Sequence, residues 1–320
     1  MTLLETANGF SKLIETANDF VELDRSGFKD ELSGYHKVVS LLHDLCLSIR
    51  LAEEAGHSRS DFEVVLEPVW GLHSQSPLVR RTQTWPRGYP GDFETIEYLC
   101  EGTNSARPGT VGYFIEQAAL TSSITQQHRN KVAWQASKML ETCLGSSKER
   151  RVLSIACGGS RDLRSIQSFL GATPVQFLLN DMDEDALTHS VINLPYLAGK
   201  LQPVHGNVFS AVRKFKVRGP FDLIVAGGLF DYLSDRQITW LLDRLAKCLK
   251  VDGRLCFTNI ALRNPYREWM DYFTHWKLIE RSEADLIALV REIDPNISME
   301  MTIAKDQTGL THLVEVTSVA

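Results

Sequence analysis

The chain has 320 residues, of which 43% are hydrophobic, enough to bury one large core with a smaller attachment. Its net charge of −6 lacks the diffuse basic surface of a general nucleic-acid binder, so no nucleic-acid partner is expected. The six cysteines (Cys46, Cys100, Cys143, Cys157, Cys248, Cys256) are scattered without a Cys-x-x-Cys pair, which argues against a zinc ribbon or iron–sulfur spacing; no metal is expected.

Scattered thiols fit a reducing compartment, and the start MTLLETANGF has no basic flank ahead of an apolar run. A cytoplasmic protein without membrane insertion is the expectation, with oligomeric state left open. Leu3–Phe10 (LLETANGF) and Leu13–Phe20 (LIETANDF) echo each other at a period too short for a solenoid and read as amphipathic helix. Apolar residues at helical spacing (Val38, Leu41, Leu42, Leu45, Ile49) predict a helix over Leu32–Ala55. The segment Trp85–Asp92, WPRGYPGD, has two prolines and two glycines, so it is an ordered turn or loop. It nevertheless carries an indole, a guanidinium, a phenol and a carboxylate. A short helix over Phe93–Cys100, a loop GTNSARPGT and a long helical stretch from Gly112 to Leu144 follow. These readings make residues 1–147 an N-terminal α-helical cap.

From Lys148 the pattern alternates. RVLSIAC, PVQFLLN, LQPVHG, FDLIVAG and GRLCFTNI read as strands, with helices after Ser160, Asp183, Ser210, Ser234 and Asn264. That alternation predicts right-handed crossovers and a mostly parallel, doubly wound α/β sheet over residues 148–320. The two strand-like runs joined by Asp-Gln-Thr-Gly near the end predict an antiparallel hairpin finishing the sheet.

Ligands of such sheets bind at the strands' carboxyl ends. The first strand runs into Ala156-Cys157-Gly158-Gly159-Ser160. A dinucleotide loop would be G-x-G-x-x-G, but Ala156 and Arg161 hold its first and last glycine positions, so a nucleoside without phosphate fits better than a pyrophosphate. Asp181 ends the second strand, where a carboxylate accepts ribose hydroxyls, with Met182 placed for the adenine face. Asn207 and Val208 after the third strand are placed for the adenine edge and ring. Gly227 after the fourth leaves space beside Phe230 and Tyr232. The plainer reading of Asp181–Asp185 is a solvated, helix-capping acidic turn.

The runs PRGYPGDFET, HRN (His128–Asn130), LSIACGGSRDL, NDMDEDAL and HWKLIERSEADL resemble bacterial class I S-adenosylmethionine (SAM) methyltransferases that make 3-hydroxypalmitic acid methyl ester and related quorum signals. The resemblance covers about Arg81 to Val290; Gly159-Ser160 stands where that family often has Pro-Ala. It implies a class I methyltransferase fold with a terminal hairpin, and SAM as cofactor held by Arg129, Ala156, Cys157, Gly158, Asp181, Met182, Asn207, Val208 and Gly227. It also implies a small-molecule acceptor in secondary metabolism. A second branch, the azetidine-2-carboxylate synthases, cyclises SAM and releases methylthioadenosine.

Methyl transfer depends mainly on positioning. A carboxylate acceptor, with a pKa of roughly 4, needs no base at neutral pH, only a cation such as Arg87 or Arg129 to orient it. An alcohol acceptor would call on His128 or His205. The cyclase branch would bend SAM's own tail against neutral groups such as Tyr89, Asn130 and Tyr232. The catalytic set is therefore Arg87, Tyr89, Asp92, Asn130 and Tyr232, with Arg263, Asn264 and Tyr266 within reach of a substrate. A silent SAM-binding module and an NAD-dependent dehydrogenase are the remaining alternatives, and Ala156 and the terminal hairpin weigh against the dehydrogenase. WPRGYPGD is read as the source of the second reactant's contacts, or else as a rigid hinge.

Overall fold

The computed structural model describes residues 3–145 and 147–319, and side chains from Phe10 onward. The side chains of most of the first LLETANGF copy, and the end residues Met1 and Ala320 of the two expected domains, lie outside the described residues. The chain divides into two compact units, Met1–Gln126 with Arg263–Lys277 and Gln127–Leu262 with Leu278–Ala320.

The first unit is helical. Its elements are α1 (Leu3–Ser26), α2 (Glu31–Glu54), α3 (Arg59–His73), α4 (Pro77–Thr84), α5 (Phe93–Glu101) and α6 (Val111–Thr121), joined by α12 (Arg267–Phe273) from later in the chain. Of the stripe predicted in α2, Val38, Leu41, Leu45 and Ile49 are fully or almost fully covered, together with Phe20, Phe62 and Phe114, while Leu42 is half-buried. Glu116 of α6 is completely buried and accepts hydrogen bonds from Ser76 Oγ, Leu78 N and Tyr98 OH. One carboxylate thus fixes α4 and α5, the two helices on either side of WPRGYPGD.

The single helix expected from Gly112 to Leu144 is broken. Ser122 adopts an extended backbone between α6 and α7 (Ser123–Cys143). Its hydroxyl donates to Ala119 O and accepts from Thr125 N, while Thr125 Oγ1 also donates to Ala119 O. Hydroxyl groups competing for backbone partners end one helix and start the next. The packing division falls inside α7, before the expected boundary at 147/148, because α7 beyond Gln127 packs on the sheet.

The second unit holds a seven-stranded sheet of order β3-β2-β1-β4-β5-β7-β6. The strands are β1 (Arg150–Ile155), β2 (Val175–Asp181), β3 (Leu201–His205), β4 (Phe221–Ala226), β5 (Leu249–Ile260), β6 (Met299–Lys305) and β7 (Thr311–Ser318). β1 to β5 run parallel, and β7 is antiparallel to both β5 and β6, so the hairpin adds two strands and its second strand lies inside. Around the sheet run α8 (Arg161–Leu170), α9 (Glu184–Ile192), α10 (Val208–Arg218), α11 (Asp235–Ala246) and α13 (Glu283–Arg291). α10 starts ahead of the expected Ser210 because Asn207 caps it, accepting from Phe209 N at 2.9 Å.

Strand alternation sorts the core into two layers. Val152, Phe177, Leu223 and Val225 join Ala136, Met139 and Cys143 of α7 and Leu163 and Ile166 of α8 on one face. Leu153, Leu178, Ile224 and Leu255 join Val212 and Phe215 of α10, Leu241 of α11 and Leu286 of α13 on the other.

Candidate functional site

The sheet order reverses at β1 and β4: from β1 the chain builds outward through β2 and β3, from β4 through β5. Such a switch opens a crevice at the strands' carboxyl ends. The loop after β1 is held in an unusual conformation there. Ala156, Gly158 and Ser160 all have left-handed backbones (φ 48°, 52° and 49°). Two of the three carry a Cβ, which costs on the order of 1–2 kcal/mol each, and such strain concentrates at ligand sites.

Hydrogen bonds hold this shape. Cys157 N donates to Asn180 O (3.1 Å), Ser160 N to Cys157 O (2.9 Å) and Ser190 Oγ to Gly158 O (2.9 Å). Asn180, at the end of β2, donates from its Nδ2 to both Val204 O and Gly206 O at 2.8 Å, tying the β2 and β3 ends together.

Asp181 is buried and central. Its Oδ2 accepts Gly158 N at 2.8 Å and its Oδ1 accepts Asp183 N at 2.9 Å. Burial raises its pKa, and those backbone donors work against the rise. An ionised carboxylate offers about four acceptor directions. With one backbone N–H bonded to each oxygen, acceptor capacity remains that suits a ligand diol. Asp181 is thus not the fully solvated turn of the plainer reading, whereas Asp183 is a helix cap, accepting from Asp185 N and Ala186 N.

Met182 stands 59% exposed beside it, with His205 Nε2 at 3.1 Å from its carbonyl. Asn207 spends its Oδ1 on the α10 cap, which leaves its Nδ2 donor as the atom for a ligand, and Val208 is buried behind it.

Over the other half of the crevice lies a polar stripe on α7. Gln127, Lys131 and Gln135 recur every fourth residue and so share one helix face. Gln127 accepts from Thr311 Oγ1 of β7. Lys131 Nζ donates to Asp231 Oδ2 at 3.2 Å, both side chains being almost wholly buried. Gln135 lies so close over Gly227 that a Cβ there would meet its Nε2 at 2.8 Å. Glycine at 227 therefore answers the close approach of Gln135. Asn130 donates to Asp306 Oδ2 at 2.8 Å, and Asp306 also accepts three backbone N–H groups of the hairpin turn, from Thr308, Leu310 and Thr311. Arg129 is half-buried on the same helix.

The turn after Gly227, residues 228–232, ends in Tyr232, 40% exposed. Arg281, which closes the W-x-L-I-x-R spacing (Trp276, Leu278, Ile279, Arg281) within the run HWKLIERSEADL, holds it. The guanidinium donates to Phe230 O (3.1 Å), Asn259 Oδ1 (2.7 Å), Leu233 O (2.6 Å) and Asp235 Oδ1 (2.8 Å).

Burial also shifts Asp162, Cys157 and His128 of this unit. Asp162, at the head of α8, is pushed up to about 6 although Leu163 N donates to it. The Cys157 thiol is raised well above its ordinary value, first by burial and then by Asp181, so it stays neutral. His128 is lowered well below 6.5 by burial and by the cations Lys131 and Arg129, which makes it a weak base. Among the described residues no cluster of three or more His, Cys, Asp or Glu is placed to hold a metal, and no helix is long and apolar enough to cross a membrane.

WPRGYPGD belongs to the helical unit. Trp85 ends α4 in the left-handed region, and Gly88 N donates back to Trp85 O at 2.8 Å to close a turn around Pro86. Asp92 is buried, caps α5 by accepting from Thr95 N (2.8 Å), and takes Arg81 Nη2 at 2.7 Å. Arg87 lies over the Phe93 ring (4.9 Å) with Glu94 at 3.4 Å. Tyr89 is half-buried.

One unit therefore gathers Ala156, Cys157, Gly158, Asp181, Met182, Asn207, Val208 and Gly227 at neighbouring strand ends, and also contains Arg129, Asn130 and Tyr232. Arg87, Tyr89 and Asp92 are in the other. Sequence reasoning missed Lys131, Gln135, Asp162 and Asn180. The four-residue spacing of Gln127, Lys131 and Gln135 was the available signal for α7.

No protein-family model and no curated protein matches the chain. Among solved structures, a possible exported protein from Bordetella parapertussis is similar over 90% of this chain and 96% of its own, with a TM-score of 0.64 at 16% identity. Magnesium protoporphyrin IX methyltransferase (ChlM) from Synechocystis PCC 6803, solved with bound SAH, is similar over 69% of this chain and 92% of its own, with a TM-score of 0.48 at 10% identity. The N-methyltransferase NodS from Bradyrhizobium japonicum WM9 is similar over 59% and 97%, with a TM-score of 0.41 at 15% identity. At 16% identity the likeness to the first of these is one of fold alone. With β7 as the sole antiparallel strand, lying between β5 and β6, the sheet unit has the class I methyltransferase fold.

Proposed function

We propose that the protein is a SAM-dependent methyltransferase acting on a small-molecule carboxylate such as a hydroxy fatty acid. The observation that carries the cofactor half is Asp181: a buried carboxylate at the β2 end, anchored by Gly158 N and Asp183 N with acceptor capacity left for a ribose diol. Asp162 supports a nucleoside over a dinucleotide. A buried carboxylate in the first turn of α8 repels a pyrophosphate from the helix start where one would dock.

Gly158 lets backbone approach the ligand, Met182 and Val208 flank the adenine, and Asn207 Nδ2 donates to its ring nitrogens. Asp162 and Gln135 are at hand for the charged aminobutyryl end. SAM supplies an electrophilic methyl group on a sulfonium. The acceptor's chemistry is suggested by what His128 lacks: with its pKa well below 6.5 it removes protons poorly, so an acceptor that arrives ionised suits the site. Arg129 orients that carboxylate; the resemblance assigns Arg87 and Tyr89 of WPRGYPGD to the substrate as well, while Asp92 is committed to capping α5 and to Arg81. Asn130 and Tyr232 complete the set, Asn130 from the hairpin side.

The test is to incubate the protein with SAM, with and without a 3-hydroxy fatty acid. S-adenosylhomocysteine formed only with the acid present is expected. Methylthioadenosine released without any acceptor would overturn the reading in favour of SAM cyclisation. Asp181→Ala is expected to weaken SAM binding by about 1–3 kcal/mol, the scale of lost charge-assisted hydrogen bonds, measured by calorimetry. Unchanged affinity would mean that the ribose is bound elsewhere.

A further inference from the structure

The sheet unit carries an uncharged outer face. Residues 165–174 and 186–199 contain no Asp, Glu, Lys or Arg, in a chain of which 23% is charged. The first run takes in most of α8 and the turn after it, the second most of α9 and the short turn Pro195–Leu197. Both pack inward on one layer: Ile166 and Leu170 of the first, and Leu187, Leu194 and Leu197 of the second, join the core face that α7 also covers. Their opposite sides therefore look outward from the same layer. The runs are tied to each other as well, since Gln167 Nε2 donates to Asn193 O at 2.9 Å and Gln167 Oε1 accepts Tyr196 N at 3.3 Å.

Large apolar side chains stand in the open on this face. Phe169 is 64% exposed, Ile192 70%, Tyr196 63% and Val191 43%. Ser165, Ser168 and Phe169, at i, i+3 and i+4, share the exposed side of α8. Helix sides that meet water ordinarily carry the charge, whereas charge depletion with aromatic rings marks the core of a protein interface. The cations flanking the two runs are drawn inward. Lys200 Nζ donates to Leu170 O, Gly171 O and Thr173 O at 3.3, 2.6 and 2.5 Å, and Arg164 is half-buried within electrostatic reach of Asp162. A lipid-binding face would hold its cations outward instead.

The face suits its own image. A two-fold axis brings a patch against itself, so like charges would oppose each other there, and this patch has none to oppose. Phe169, Val191, Ile192 and Tyr196 expose on the order of 500 Å², taking about 150–250 Å² for a whole aromatic side chain. Their uncharged neighbours bring the face toward the roughly 800 Å² per partner of a stable interface.

We propose that this face, formed by α8, α9 and the Pro195–Leu197 turn, is the contact of a two-fold homodimer. The dimer does not depend on the SAM reading.

The test is sedimentation velocity of the full-length protein over roughly 1 to 100 µM, the weak end of affinities for an interface of this size. The parent is expected to reach twice the 36.0 kDa of one chain. Ile192→Asp puts a carboxylate and its symmetry mate into the contact and should weaken dimerisation at least about a hundredfold, with an unchanged far-UV circular dichroism spectrum. Phe169→Ser adds no charge and should weaken it roughly tenfold. Val217→Asp is the control: Val217 is 84% exposed on α10, which packs on the other face of the sheet, so this variant should stay dimeric. The proposal is overturned if the parent stays monomeric throughout, if both Ile192→Asp and Phe169→Ser dimerise as tightly as the parent, or if Val217→Asp dissociates as readily as Ile192→Asp. A monomeric parent that floats with phosphatidylcholine vesicles would give the face to lipid instead.

Discussion

Lys131→Met is expected to destabilise the sheet unit by about 3–5 kcal/mol, the scale for removing one partner of a buried ion pair. The side chains of Lys131 and Asp231 are 4% and 2% exposed, and their atoms are 3.2 Å apart. Methionine nearly matches the lysine stem, so packing survives while the Asp231 carboxylate is left buried with too little compensation. Asp231 has a second task, since its Oδ1 accepts Ile260 N at 2.6 Å. The double variant Lys131→Met/Asp231→Asn removes both charges and keeps an oxygen for that N–H. It should recover most of the loss, and urea unfolding of the parent, both single variants and the double gives the coupling directly. A cost below about 1 kcal/mol for Lys131→Met would show that the pair is not what holds α7 to the turn after β4.

That pair also shows where the sequence could be read and where it could not. Strand ends were legible because an apolar run followed by glycine or acid is a local signal: Gly158, Asp181 and Gly227 fall where the pattern put them. The α7 stripe was not, since Gln, Lys and Gln at four-residue spacing ordinarily describe a solvated face, and only the tertiary packing makes this one inward. The break at Ser122 was hidden for a related reason. Its cause is three hydroxyl hydrogen bonds rather than a proline or glycine. W-x-L-I-x-R was recognisable as a pattern, but the work of Arg281 depends on carbonyls from residues 230 and 233, which no local window contains. WPRGYPGD is anchored at Asp92 and at Arg87, through Arg81 and Glu94, so it is an ordered loop.

Asp162→Asn is expected to stabilise the protein, and increasingly so as pH rises. The Asp162 carboxyl is pushed up from 3.8 to about 6 by burial. A carboxyl with a raised folded-state pKa favours the folded state fully only below its unfolded value, and that contribution is lost as pH rises through the folded value. The raised pKa therefore costs the fold about 1 kcal/mol at pH 4.5, where the unfolded carboxyl is mostly ionised and the folded one neutral, and about 3 kcal/mol at pH 8, where it is ionised in both states. Asparagine is nearly isosteric, and its Oδ1 can keep the 2.7 Å hydrogen bond from Leu163 N. The gain of Asp162→Asn over the parent, from urea midpoints at the two pH values, should follow those figures. A gain that does not change with pH would show that this carboxyl does not titrate near 6. A chain that keeps so costly a charge at the head of α8, beside the strained loop of Ala156 to Ser160, is expected to use it. SAM carries an ammonium that such a carboxylate can pair with. The stabilised variant should bind SAM roughly tenfold more weakly, the scale of one charge-assisted hydrogen bond. Higher stability with unchanged affinity would instead assign Asp162 to shaping the loop rather than to holding the ligand.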